Sequence, residues 1–245
     1  MANENDRPLD RLAEFFDKYF TSKADWSIPA MKAQARSYFL TNFISCLLVS
    51  MILGTATRWM CYIFTPRGGF FDENMWENFF KTRLIAAAII GVIALFAFGP
   101  LEMSAKRFYL LNEQGQRPTF RELKFGFTNG KYWNTVLVMG VKNLVCTLGY
   151  LLLIVPGFYF HYTYFMVPYL LAEQPGISVS DAMTISRDTM KGKKWDAFLV
   201  DLSFWPWILG SLVTGGLAGV VYGWPFRHST HAELYLTIIN SRYVS

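Results

Sequence analysis

GKKWDAFLVDLSFWPWILGSLVTGG, running from Gly192 to Gly216, decides the fold class. Two lysines and a tryptophan lead into an apolar run that closes on a pair of glycines. The run approaches the roughly 20 residues that cross a hydrocarbon core about 30 Å thick. Lys193, Lys194 and Trp195 are the residue types that a cytoplasmic membrane boundary favours, so the stretch reads as a membrane helix with its start marked. Asp201, six residues past that tryptophan, is then a charge inside the bilayer.

The rest of the chain agrees. Of 245 residues, 53% are hydrophobic and 18% aromatic, more than the core of a soluble domain requires. Apolar runs at Leu40–Phe64, Leu84–Leu101, Asn134–Val155, Phe158–Ala172, Asp196–Thr214 and Leu217 to about Ile239 predict an all-α integral membrane protein with six transmembrane helices. The fourth run is short and the sixth turns polar at Arg227, so five or four spans are the alternatives. The opening MANENDRPLD lacks the basic start and apolar centre of a cleaved signal peptide. Cys46, Cys61 and Cys146 lie in apolar runs at spacings that match no metal or redox motif and read as packing residues.

The formal net charge of +5 is topological. Lysines and arginines precede the first run (Arg7 to Arg36), separate the second from the third (Lys106 to Lys131) and precede the fifth (Arg187 to Lys194). The opposite side has Arg67, Lys81 and Arg83. This asymmetry predicts both termini in the cytoplasm and removes nucleic acid as a partner.

The chain also matches itself. GKYW at Gly130, Lys131 and Trp133 and GKKW at Gly192, Lys193 and Trp195 stand before successive runs as interfacial lead-in motifs. Turns follow at Pro156-Gly157 and Gly215-Gly216, and the returning segments carry Pro168 and Pro225, as the first carries Pro100. LLNEQ (Leu110–Gln114) matches LLAEQ (Leu170–Gln174). The reading is three helical hairpins in pseudo-repeat, at about 40–111, 120–174 and 178–240. Each follows an amphipathic interfacial helix, at Pro29–Tyr38, Phe120–Phe127 and Ser178–Met190; the last places Val179, Met183 and Ile185 or Ser186 on one face. Residues 1–38 form a cytoplasmic amphipathic segment with a helix at Leu9–Phe20, and 39–245 form one membrane domain, with a short external helix in GFFDENMWENFFK.

SRDTMKGKKWDAFLVDLSFWPWILG, the IVPG turn with FYFHYTYFMVPYLLAE after it, and RPTFRELKFGF together resemble a bacterial multipass family labelled only as a domain of unknown function. That family is similar in turn to the membrane part of membrane-anchored glycerophosphodiester phosphodiesterases. The resemblance runs from about Arg36 to the C-terminus and implies a helical fold in the bacterial inner membrane, without an activity. TNF at Thr41–Phe43 departs from the Gly-Asn-Trp-like lead-in of the family, as does FRHSTH after Pro225. The hydrolase domain of the phosphodiesterases has no counterpart here.

Charges inside spans cost roughly 2.5 to 3.5 kcal/mol each on insertion scales, so they mark candidate function. Lys142, nine residues past Trp133, and Asp201 fall at similar depth, roughly 9 to 14 Å inside the boundary. They are expected to pair and join the second hairpin to the third, unless Lys142 snorkels to the headgroups. Arg227, Thr230, His231 and Leu234 share a helical face that either lines a hydrated cavity or leaves the bilayer through a break at Gly223-Trp224-Pro225. Glu102 follows Pro100 as Arg227 follows Pro225, which suggests that those two meet. The candidate intramembrane polar site is therefore Lys142, Asp201, Arg227, His231 and Glu102.

His228 and His231 with Glu233 raise a metal reading that the adjacent Arg227 opposes, so no metal or cofactor is expected. His161 reads as a polar anchor in the outer leaflet. No HExxH, phosphate loop or nucleophile elbow occurs, so the chain reads as non-enzymatic. It is expected to bind the lipid bilayer, a lipid or amphiphilic ligand, or a membrane protein partner in envelope maintenance. The alternatives are a small transporter or permease component and, third, an intramembrane lipid enzyme.

Overall fold

The computed structural model describes residues 27–64, 84–128 and 130–243, with side chains over 27–55, 96–128 and 130–241. The helices expected at Leu9–Phe20 and in residues 69–81 lie outside the described residues. The described part is helical, with no strand among its residues. Two helices are long and apolar enough to cross a membrane, Tyr132–Leu152 and Lys194–Val213, or three if a bent pair near the N-terminus is one span. Six spans are not confirmed among the described residues: the run Phe158–Ala172 is divided at 164–166, whereas Leu84–Leu101 lies within one continuous helix.

The bent pair is α1 (Ile28–Thr41) and α2 (Phe43–Phe64), which meet at 98°. Ser27 caps α1 by accepting from the Ala30 amide, and Pro29 sits in the first turn where its missing N–H costs nothing. Met31, Ala35 and Phe39, spaced by four, are buried against the last helix, where Phe39 meets Tyr222 and Phe226. The segment packs this one face inward and leaves most of its other side chains exposed.

α3 (Leu84–Glu113) runs thirty residues through Pro100. The helix continues past the apolar run that ends at Leu101 and carries Lys106 and Arg107. Ser104 donates to the Pro100 carbonyl and accepts from the Gly126 amide at 2.8 Å, clamping a 3-10 turn (Phe120–Lys124) and α4 (Phe125–Thr128) onto α3. A Cβ at Gly126 would collide with the Pro100 carbonyl, so only glycine permits this approach.

α5 (Tyr132–Leu152) and α6 (Ile154–Thr163) form a hairpin linked by Leu153 alone, which is extended. The turn expected at Pro156-Gly157 lies inside α6 instead, where Gly157 packs on the Tyr150 ring and Gly149 on Phe160. A second interruption at 164–166 separates α6 from α7 (Val167–Glu173), because Pro168 brings no amide to continue the helix. The run Phe158–Ala172 is therefore two short helices. α8 (Val179–Thr189) is capped by Ser178 and buries Ala182, Ser186 and Thr189, so Ser186 faces inward while Ile185 stays exposed.

In both lead-in motifs the glycine is left-handed, with φ +70 at Gly130 and +80 at Gly192. α9 (Lys194–Leu202) and α10 (Trp205–Val213) follow. Lys32 reaches from α1 to the Ser203 carbonyl between them, at 3.1 Å, with its ammonium over the Phe204 ring. Gly215 and Gly216, both at positive φ, make the next turn. A π turn (Gly219–Gly223) leads directly into α11 (Trp224–Tyr243). The break expected before Pro225 does not occur: the wide turn absorbs the missing proline amide, and helical structure continues.

Asparagines close two hairpins at their starts. Asn134 donates to the Pro175 and Ile177 carbonyls, both at 2.8 Å, and Asn42 donates to the Pro118 carbonyl at 3.0 Å and to Asn112. The TNF stretch that departs from the family's lead-in therefore keeps the asparagine that does this work. Outward, Leu151 to Val155 and Leu212, Val213 and Leu217 are exposed apolar hairpin tips, a surface suited to hydrocarbon and not to water.

Candidate functional site

Asp201 comes from α9, one residue before that helix ends. Its Oδ1 accepts from Arg227 Nε at 2.8 Å and from His231 Nε2 at 2.7 Å, and its Oδ2 accepts from the Tyr162 hydroxyl at 2.9 Å. An ionised carboxylate can only accept, so Nε2 of His231 carries a proton. Arg227 and His231 are four apart on α11 and project from one face, as the helical spacing requires. The Phe165 ring stands edge-on to His231 at 5.1 Å. Three donors on one carboxylate replace the water that burial removes.

Lys142 does not reach Asp201. Its Nζ lies 2.9 Å from Glu102 Oε1, joining α5 to α3. The pairing expected between Lys142 and Asp201 is thus replaced by two separate ion pairs. Nor does Glu102 meet Arg227, whose Nε is bound to Asp201. Equal depth along two helices says nothing of the direction each side chain takes around its axis, and that direction chose the partners.

Lys106 links the two pairs. It is one turn past Glu102 on α3, its ammonium 5.3 Å from the centre of the Tyr169 ring, and it lies close enough to feel Glu102, Lys142, Arg227 and Asp201. His161 is exposed and feels the same charges at a distance. Sequence reasoning missed Lys106 and Tyr162. The spacing of Glu102 to Lys106, one helical turn, was a signal available for the first; nothing local points to Tyr162.

The cluster gathers three basic side chains, Lys106, Lys142 and Arg227, about the carboxylates of Glu102 and Asp201. The Asp201 side chain is 12% exposed and that of Arg227 is 44% exposed, so the cluster opens on the arginine side. Among the described residues Arg227 makes one hydrogen bond to a side chain, through Nε.

The residues of the metal reading go elsewhere. His231 is bound to Asp201, and His228 stacks on Tyr109 at 5.3 Å. Among the described residues no three His, Cys, Asp or Glu side chains converge as a metal site. Near the cluster, Tyr169 stacks on Tyr235 at 4.9 Å, and the Tyr235 hydroxyl donates to Glu173 at 2.6 Å. Arg107 donates to the Ala172 carbonyl and lies over Phe125, tying α7 to α3 and α4.

The lead-in motifs stand apart from this cluster. Trp133 and Trp195 are largely exposed, Trp133 edge-on to Phe96 and Trp195 against Phe198, which is the disposition of interfacial anchors. Comparison with curated proteins and with solved structures finds no match, and the likeness to phosphodiesterase membrane parts is not shown. What does match is a family, over residues 30–242 and so nearly the whole described bundle: the chain belongs to the family described as protein of unknown function DUF975.

Proposed function

We propose that this chain is a non-enzymatic, multipass protein of the bacterial inner membrane, with both termini cytoplasmic, that binds an anionic amphiphile. The headgroup would lie against Arg227, Lys106 and Lys142, and the tails along the apolar faces of α5 and α10. One observation carries the reading: three basic side chains gather about two carboxylates, and the exposed one is Arg227, which Asp201 engages through Nε. Guanidinium groups suit phosphate and carboxylate because their parallel N–H bonds match two oxygens.

The test uses the full-length chain in nanodiscs with mixed phosphatidylglycerol and phosphatidylethanolamine, read by native mass spectrometry. The wild type is expected to retain phosphatidylglycerol preferentially. Arg227→Gln should weaken that retention about tenfold, the worth of one charge-assisted hydrogen bond of about 1.5 kcal/mol. Equal retention of both lipids by the wild type overturns the proposal.

A second reading, a small transporter or permease component, is supported by a different observation. The chain beside the polar cluster is interrupted at 164–166 and widened in the π turn ahead of Pro225, and irregular helices at a polar site are a device of transporters. Counterflow of an anionic amphiphile in proteoliposomes, abolished by Asp201→Asn, would favour it.

A further inference from the structure

At the far end of α3, away from Asp201, two carboxyl groups are buried within electrostatic reach of each other. Glu113 is the last residue of α3, two past the end of the first hairpin, and Glu233 lies on α11. They are 3% and 5% exposed. Both oxygens of Glu113 and Oε2 of Glu233 are buried with no hydrogen-bond partner, and among the described residues neither carboxyl group is in an ion pair. Ser229, one turn before Glu233 and fully buried, faces Glu113 with its own hydroxyl unpartnered. The amide nitrogen of Asn112 is likewise unused.

Among the described residues the other groups that Glu113 feels bring no fixed positive charge. From α2 comes Cys46, and from α3 comes Tyr109, whose hydroxyl is engaged with Ser50 and the Cys46 carbonyl at 2.6 and 2.8 Å. On α11, His228 stacks on Tyr109 with Nδ1 buried and unpartnered. The internal match sharpens the contrast. LLNEQ and LLAEQ put Glu113 and Glu173 at corresponding positions; Glu173 receives a hydroxyl proton donor from Tyr235, and Glu113 has none. Two buried carboxylates within electrostatic reach of each other repel and lose hydration when both are ionised, so the neutral form of one is favoured.

We propose that Glu113 and Glu233 form a proton-binding site, in which one proton held on Glu113 and directed at Glu233 or Ser229 keeps α3 closed against α11. Binding adds one proton from water to the Glu113 carboxylate and neutralises one of two negative charges. Burial, and then the negative charge of Glu233, push the Glu113 carboxyl up to about 9. The native protein therefore keeps a proton that the unfolded chain releases near 4.5. Stability is full below the unfolded value and falls as pH rises through that window, by up to tenfold in the unfolding equilibrium per pH unit.

Two measurements on the full-length chain in nanodiscs test this. Infrared spectra of the wild type at neutral pH should contain a carboxylic acid C=O band that shifts in heavy water and disappears in Glu113→Gln. Unfolding followed between about pH 4.5 and 9 should become less pH-dependent in the same variant, whose amide mimics the protonated acid. Glu233→Gln should reduce the slope as well, by removing the neighbouring charge. The absence of an acid band in the folded wild type overturns the proposal even if the variants fail to fold. So does an unchanged slope in Glu113→Gln. Stabilisation of the wild type but not that variant by sodium, magnesium or calcium would make the pocket a cation site instead.

Discussion

Removing Glu102 should cost more than removing Lys142, although the two form one ion pair. Glu102→Gln leaves the Lys142 ammonium facing Lys106 one turn away, with no carboxylate between them. Stranding charge in this partly buried place should destabilise the fold by about 3 kcal/mol, the lower end for a broken buried pair. Lys142→Met leaves Glu102 beside Lys106, which can take over as counter-ion, so its cost should be about 1 to 2 kcal/mol. The double variant removes both charges together. It should be less destabilised than the summed singles by about 2 kcal/mol, the coupling of residues in direct contact. A second cycle, Lys142→Met with Asp201→Asn, should be additive within about 0.5 kcal/mol, because Asp201 has donors of its own. Reversible unfolding of the purified protein in mixed micelles, followed by tryptophan fluorescence, supplies the four free energies of each cycle. An additive first cycle with a coupled second one would refute the partner assignment and restore the Lys142 to Asp201 pair.

Further tests address the frame around the site. Gly126→Ala should destabilise by about 1 to 3 kcal/mol in the same unfolding assay, since its Cβ has nowhere to go against Pro100 and Ser104. Asn134→Ala should cost about 1 to 3 kcal/mol by orphaning two carbonyl acceptors, and Asn42→Ala a similar amount; a loss under 0.3 kcal/mol in either would deny it the closing role. Brominated lipids should quench Trp133 and Trp195 most when the bromine is near the headgroup, and stronger quenching by bromine at the chain end would contradict their interfacial position.

Much of the frame was legible from residue types. Runs of apolar residues mark helices suited to hydrocarbon, and the glycines at 130, 192, 215 and 216 mark where the chain turns, because a positive φ is cheap only without a Cβ. The glycine and proline at 156–157 misled, since a proline early in a helix is as comfortable as one in a turn, and Leu153 made the turn without a signature. The break expected at Pro225 was a sound inference from local chemistry that a π turn answers differently. The members of the two ion pairs were visible too: Lys142, Glu102, Asp201, Arg227 and His231 all carry a charge or a titratable ring in an apolar run or beside one.

What the chain determined by itself is therefore its class, its punctuation and the identity of its costly charges, all of which depend on a residue and its near neighbours. Only the tertiary structure decided that Lys142 serves Glu102, that Asp201 gathers Arg227, His231 and Tyr162, and that Lys106 stands between the pairs. Partner choice depends on how each helix is rotated about its axis and how the helices are arranged side by side. Those quantities are set by the packing of Met103, Met139, Val167 and the other buried residues around them, and no spacing along a single helix encodes them.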